Sequence, residues 1–92
     1  MRFEWDEKKN RTNIRDHKLD FVDVPPVFSG PMLVESDERE EYGEDRWVGI
    51  GFLRNVAIVV VFTEPRRDTI RIVSARKANK RERNRYEQSL KN

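Results

Sequence analysis

Val56-Ala57-Ile58-Val59-Val60-Val61-Phe62-Thr63 is the stretch that decides the fold. The run is apolar and largely β-branched, and side chains stiff at χ1 pack well on a pleated surface. A strand without polar alternation must be covered on both faces, so this one is predicted to lie at the centre of a sheet. The segment before it, Arg46 to Leu53, reads as a second strand. Gly49 and Gly51 within it point to a bulge or a close approach of another part of the chain. Only Leu53-Arg54-Asn55-Val56 joins the two, which predicts a hairpin. Beyond the central run, Glu64-Pro65-Arg66-Arg67-Asp68 turns the chain into a third strand, Thr69 to Ala75, and Met32 to Glu35 is a candidate edge strand. Connections this short predict an antiparallel meander, because a parallel crossover needs about a dozen residues.

Helices are predicted on either side of these strands, giving an α+β domain. Asp6 is a good N-cap, its oxygen accepting free amide protons, for a helix running to about His17. Ile14 is the only aliphatic residue of that helix, so it should lie on the surface with a narrow contact stripe. Leu19-Asp20-Phe21 can start a second short helix that Pro25-Pro26 cuts off, since proline lacks the amide donor. Near the other end, Asn79 and Glu82 have the spacing of a capping box. At about 100° per residue, Asn79, Tyr86 and Leu90 share one face of that last helix, flanked by Glu82 and Arg83. With Tyr86 and Leu90 as its only anchors, the last helix should dock weakly.

Ninety-two residues, 36% hydrophobic and 39% charged, make a single domain (1–92) with a thin core and a crowded surface. A chain this short buries only roughly 60% of the surface it exposes when unfolded, so its stability margin is narrow. The absence of cysteine excludes disulfides and thiolate metal sites. The opening Met1-Arg2-Phe3-Glu4-Trp5-Asp6 is too charged for a signal peptide, and Val56 to Phe62 is far short of a membrane span of ~20 residues. A cytoplasmic protein with no membrane contact is the expectation.

The net charge of +2 conceals an asymmetry. Seven acids against one base, Arg39, lie between Glu35 and Asp45, whereas ten bases against three acids lie between Arg66 and Asn92. A basic half of this density attracts polyanions such as nucleic acid, although a solvated charged face has the same composition. Alternation along the third strand puts Ile70 and Ile72 on one face and Arg71 and Val73 on the other. Arg71 therefore projects from the sheet at mid-strand, either toward a ligand or into a salt bridge with a cross-strand acid. Arg76 has the opposite parity, so the two arginines share a face only if the chain bulges or turns near Ser74-Ala75. His17, the sole histidine, is a candidate for acid–base work or a helix C-terminal cap. Tyr86 is a candidate proton donor or a packing anchor. One histidine and no cysteine make a zinc site improbable, and the acidic run lacks the glycine of a calcium loop.

Phe3-Glu4-Trp5-Asp6, then Lys9, Asn13 and His17, then Phe21 and Val27-Phe28, follow the opening pattern of the BrnT toxins, which the chain resembles. Arg46, Gly51, the run Ile70-Arg71-Ile72-Val73-Ser74-Ala75-Arg76, and the closing Glu82-Arg83 with Tyr86-Glu87 carry the resemblance over nearly the whole chain. Two positions depart from it. Lys18 stands where the family has glycine after the histidine, and Pro25-Pro26 replaces residues that are helical there. Glycine suits a left-handed helix stop, so Lys18 either accepts strain or ends the helix differently.

The resemblance implies a RelE-like fold, with an antiparallel sheet of three to four strands, an N-terminal helix or helices, and a C-terminal helix packed on it. It also implies an RNase toxin of a type II toxin–antitoxin system, working without metal or cofactor. Its partner would be a BrnA-like antitoxin with a ribbon-helix-helix part, through which alone it would reach operator DNA. RNA cleavage by 2′-hydroxyl attack needs a base, an acid and cations for charge developing on the phosphoryl oxygens. The expected assignments are Arg71 and Arg76 to the phosphate, and His17 and Tyr86 to proton transfer, with Glu82 as a further base. Arg46, Arg83 and Lys77 are expected to position the RNA backbone. The same arginines would serve a non-catalytic interaction module, or a toxin that has lost turnover, binding an acidic partner or nucleic acid through the basic face.

Overall fold

A computed structural model describes residues 1–91. The elements are β1 (Arg2–Trp5), α1 (Glu7–His17), two short 3₁₀ turns (Phe21–Asp23 and Pro25–Ser29), β2 (Leu33–Ser36), β3 (Trp47–Leu53), β4 (Val56–Arg66), β5 (Thr69–Lys77) and α2 (Lys80–Ser89). The sheet has five strands in the order β1-β5-β4-β3-β2, with the apolar run of β4 at its centre. Strands β2 to β5 form the expected antiparallel meander.

The expected count of three to four strands, all antiparallel, is corrected by β1. It lies parallel to β5, pairing Phe3 with Ile70 and Glu4 with Arg71, and makes the sheet mixed. Arg2-Phe3-Glu4-Trp5 alternates polar and apolar residues over four positions, a pattern too short to stand out from the lead-in to a helix. Phe3 and Trp5 turn toward the main core, where Phe3 meets Phe28 and Trp5 meets Phe21 edge-on.

That core lies on one face of the sheet. Ile58, Val60, Phe62, Ile70, Ile72 and Ala75 pack against Phe21, Val24 and Val27 of the 3₁₀ turns. Pro25 and Pro26 open the second turn, where their missing amides cost nothing. Gly49 and Gly51 face this layer with no bulge in their strand; a Cβ on them would fall 2.6 Å from Met32 Cε and 2.7 Å from Val27 Cγ1. Close approach is therefore what they permit. The opposite face carries a smaller cluster, Ile50 and Val59 under Tyr86 of α2.

Both helices begin as predicted. The Asp6 carboxylate accepts from the Lys8 and Lys9 amides, and Asn79 and Glu82 complete the capping box reciprocally. Lys18 takes the left-handed conformation itself, at φ 61°. The contact stripe of α1 is polar: Asn10 and Asn13 are the buried residues, while Ile14 is exposed. Leu90 is exposed too, so α2 is anchored by Tyr86 rather than by the expected pair. Among the described residues no helix is long and apolar enough to cross a membrane.

Candidate functional site

A bulge in β5 assembles the basic face. Val61 pairs with Ser74 but Phe62 pairs with Ile72, which leaves Val73 as the extra residue. Past it the side-chain parity inverts, so Ala75 enters the main core and Arg76 emerges on the face that carries Arg71. The condition under which the two arginines share a face is met, one position earlier than the sequence suggested. They remain apart along the strand. Arg71 lies opposite Thr63 and Arg76 opposite Val59, four residues along β4, or about 13 Å at ~3.3 Å per residue.

Arg76 and Glu82 come together at the mouth of a groove. The Glu82 carboxylate accepts from Arg76 Nη1 at 2.9 Å and from Nη2 at 2.8 Å, and Nη1 also donates to the Lys77 carbonyl oxygen at 3.2 Å. The capping-box bond from the Asn79 amide holds the carboxylate from behind. Arg76 keeps the Glu82 carboxyl down at about 2, and Glu82 in turn raises Arg76. Both groups are charged at every physiological pH. A guanidinium has five N–H donors, and this pairing leaves the edge formed by Nε and Nη2 unused. The groove, about 440 Å³, has a floor of Val48, Val59, Val61 and Ser74 and a far wall from the acidic segment, including Asp37 and Arg39.

Two further depressions continue along the same face. His17 is exposed at the end of α1, in a hollow shared with Lys9, Asn13, Val73 and Ser74. Ser74 is common to this hollow and to the groove. Arg71 lines the next hollow with Glu4, Trp5, Asp6, Lys9 and Val73. It is ion-paired: Glu4, its partner in the parallel ladder, accepts from Arg71 Nε at 2.8 Å and lies 2.7 Å from Nη2, and it accepts from Arg66 as well. These arginines, Arg71 foremost, lower the Glu4 carboxyl. The cross-strand salt bridge weighed for Arg71 is thus present, and the side chain remains 44% exposed beside it.

The other expected site residues lie elsewhere. Tyr86 is fully buried under α2, its hydroxyl donating to the Pro31 carbonyl oxygen at 2.8 Å, and burial pushes that hydroxyl up from its ordinary pKa. It is an anchor, away from the groove. Glu82, held near 2, is a poor proton acceptor at neutral pH and is spent on Arg76. Arg83 pairs with Glu87 on the flank of α2 opposite Glu82. Lys77 pairs in register with Ile58 and so belongs to the face opposite Arg76. Arg46 stacks over the Tyr42 ring at 3.8 Å, with a buried Nε lacking a partner, and lines the acidic segment.

The sequence reading missed Arg39. Its Nε and Nη2 both donate to the Asp37 carboxylate at 2.8 Å, and Asp37 also accepts from Tyr42 at 3.4 Å. The only signal was a single base among seven acids. Among the described residues no group of three or more histidines and acids is arranged to hold a metal ion.

Residues 5–82 match the family model described as the ribonuclease toxin BrnT of type II toxin–antitoxin systems. Among solved structures, the chain is similar to the ribonuclease toxin BrnT of Brucella abortus, at 29% identity and a TM-score of 0.69, over 87% of this chain and 99% of that one. No curated protein matches.

Proposed function

The chain belongs to the BrnT family of ribonuclease toxins of type II toxin–antitoxin systems, and from that premise we propose that it is a metal-independent endoribonuclease acting at the Arg76 groove. The observation that carries this reading is the Arg76–Glu82 pair. It fixes a guanidinium at the edge of an apolar-floored groove with its Nε/Nη2 edge open. A planar fork of that kind matches two oxygens of a phosphate.

Catalysis follows the route of the RelE-like group, to which the resemblance points. The 2′-hydroxyl of RNA attacks the adjacent phosphorus as the bond to the 5′-oxygen breaks, giving a 2′,3′-cyclic phosphate and a 5′-hydroxyl. Arg76 neutralises charge developing on the phosphoryl oxygens, already in place and therefore without reorganisation at the moment of reaction. Glu82 is a positioning residue. His17, next along the face through Ser74, is the candidate for proton transfer. Arg71 suits a phosphate one or two nucleotides away rather than the reacting one. A BrnA-like ribbon-helix-helix antitoxin is the proposed partner, and contact with operator DNA runs through it.

A non-catalytic module of the same fold makes a different forecast, RNA bound but uncut. The burial of Tyr86 favours it to the extent that one candidate for proton transfer is withdrawn. Incubating the purified chain with a defined RNA, with 5′- and 3′-end analysis of the products, separates the two. Fragments ending in a cyclic phosphate and beginning with a 5′-hydroxyl, lost in Arg76→Ala, support the enzyme. Intact RNA with retained binding supports the module.

A further inference from the structure

The acidic segment between Glu35 and Asp45 contributes one cation to the groove, and it is held in the same manner as Arg76. Asp37 is the buried acid of the run, its side chain 1% exposed, and it is committed to Arg39 through Nε and Nη2. Burying a carboxylate is costly unless it is paired and hydrogen-bonded. Asp37 meets that cost with the Arg39 guanidinium, the Arg39 amide at 3.3 Å and the Tyr42 hydroxyl. The Arg39 side chain it holds is nonetheless 70% exposed. The pairing satisfies the buried carboxylate while leaving most of the guanidinium in solvent, where its remaining N–H groups can meet a ligand.

The two arginines also use complementary edges. Arg76 is gripped end-on by Glu82 and keeps Nε–H and the second Nη2–H free, whereas Arg39 is gripped side-on by Asp37 and keeps Nη1 and the second Nη2–H free. Both line one groove, and Arg39 opposes the charge on Arg76 across it. Like charges brought together by two separate carboxylate supports are relieved by an anion between them.

We propose that Arg39 contacts the same RNA phosphate as Arg76, so that one phosphodiester is clamped between two carboxylate-held arginines. The proposal rests on the groove being the RNA site. It gives the acidic segment a role on that site: Asp37 is the positioning residue for Arg39, as Glu82 is for Arg76.

The test uses the full chain and its Arg39→Ala, Arg39→Lys and Asp37→Asn variants, with circular dichroism to establish folding. Single-turnover cleavage is measured, together with binding to an RNA made uncleavable by a 2′-deoxy substitution at the scissile position. Loss of a transition-state donor predicts a cleavage rate down ~10²–10³-fold for folded Arg39→Ala. Arg39→Lys recovers little of it, since a point charge cannot replace the fork. The salt dependence of binding falls by about 0.7 in slope, the value for one phosphate contact on a single strand. Wild-type rate and unchanged salt slope in folded Arg39→Ala would overturn the clamp, as would a change confined to melting temperature. If the wild-type chain cuts no RNA, the ribonuclease reading fails, and the salt slope of Arg39→Ala still decides whether Arg39 holds a phosphate.

Discussion

The side-chain amide of Asn13 takes the place of a strand beside Ala75, donating to its carbonyl oxygen at 2.9 Å and accepting from its amide at 3.0 Å. β1 covers the edge of β5 only from Thr69 to Ile72. Beyond that point the edge would be open, and α1 closes it through this one residue. Asn13 also donates to the Leu19 carbonyl oxygen at 2.9 Å. Asn13→Leu should leave buried backbone groups unsatisfied, at about 1–3 kcal/mol each. Thermal melting should fall by at least about 10 °C for a domain of this size. Asn13→Asp should be as damaging, since a carboxylate cannot donate to two carbonyl oxygens. A melting temperature unchanged in both would mean that the bonds are made equally well by water.

Arg71 and Arg76, about 13 Å apart along the strand, should separate kinetically. Arg76→Ala is expected to cut kcat by ~10²–10³-fold, the usual loss for a transition-state donor. Arg71→Ala should instead raise KM several-fold with kcat little changed, because Arg71 is tied to Glu4 and is assigned to a flanking phosphate. Steady-state kinetics on one oligonucleotide reads both. A kcat loss in Arg71→Ala equal to that in Arg76→Ala would place the reacting phosphate nearer Arg71.

How much of this was legible beforehand depended on the range of the interactions. The β4 run, the hairpin at Arg54-Asn55 and both helix caps are local features, and the sequence announces them. The parallel pairing of β1 with β5 joins residues 2–5 to 69–72, and nothing in four residues specifies a partner that distant. The face shared by Arg71 and Arg76 was readable as a condition, a bulge, but its position at Val73 depends on the β4 register. Tyr86 and Leu90 looked equivalent on a helical wheel. Only the sheet beneath distinguishes them, offering Phe52 and the Pro31 carbonyl to Tyr86. Arg39 was hidden by composition, because a charge count treats a lone base among acids as neutralised.

Acid should unfold the chain through Glu82 and Asp37. The Glu82 carboxyl is lowered from 4.5 to about 2 by Arg76, and Asp37 from 3.8 to about 2 by Arg39. A carboxyl depressed in the folded state contributes stability above its unfolded pKa and loses it as pH falls through the folded one. The loss therefore runs from about pH 4.5 down to about pH 2. Urea melts across this range should show falling stability in the wild type and a flatter decline in Glu82→Gln. Parallel curves for the two would mean that Glu82 carries no linkage.

Chelation should leave cleavage intact. The charge to be neutralised on the phosphoryl group is assigned to guanidiniums, with no step left for a divalent ion. Equal single-turnover rates in excess EDTA and in magnesium are expected. Loss on chelation, with recovery on adding back one divalent ion, would move the chemistry to a metal held by the acidic segment.

The antitoxin is expected to cover the groove and the hollows beside it, excluding RNA by occupation. The basic face offers Arg76, Arg71 and the exposed His17 along one line, whereas the acidic rim beyond Arg39 turns Glu38, Glu40 and Glu41 outward on the other side. An acidic or mixed segment of the partner suits the first surface and a basic one the second. A partner that binds only the folded chain makes the complex melt well above the free chain, with about 2.7 kcal/mol of added stability expected at a hundred times Kd. Charge reversal separates the surfaces. Arg71→Glu should weaken partner binding and Arg83→Glu, on the far flank of α2, should leave it almost unchanged. Glu40→Lys with Glu41→Lys should have a small effect of either sign. If the pair of glutamate reversals abolishes binding while Arg71→Glu is silent, the partner sits on the acidic rim and inhibits by some route other than covering the arginines.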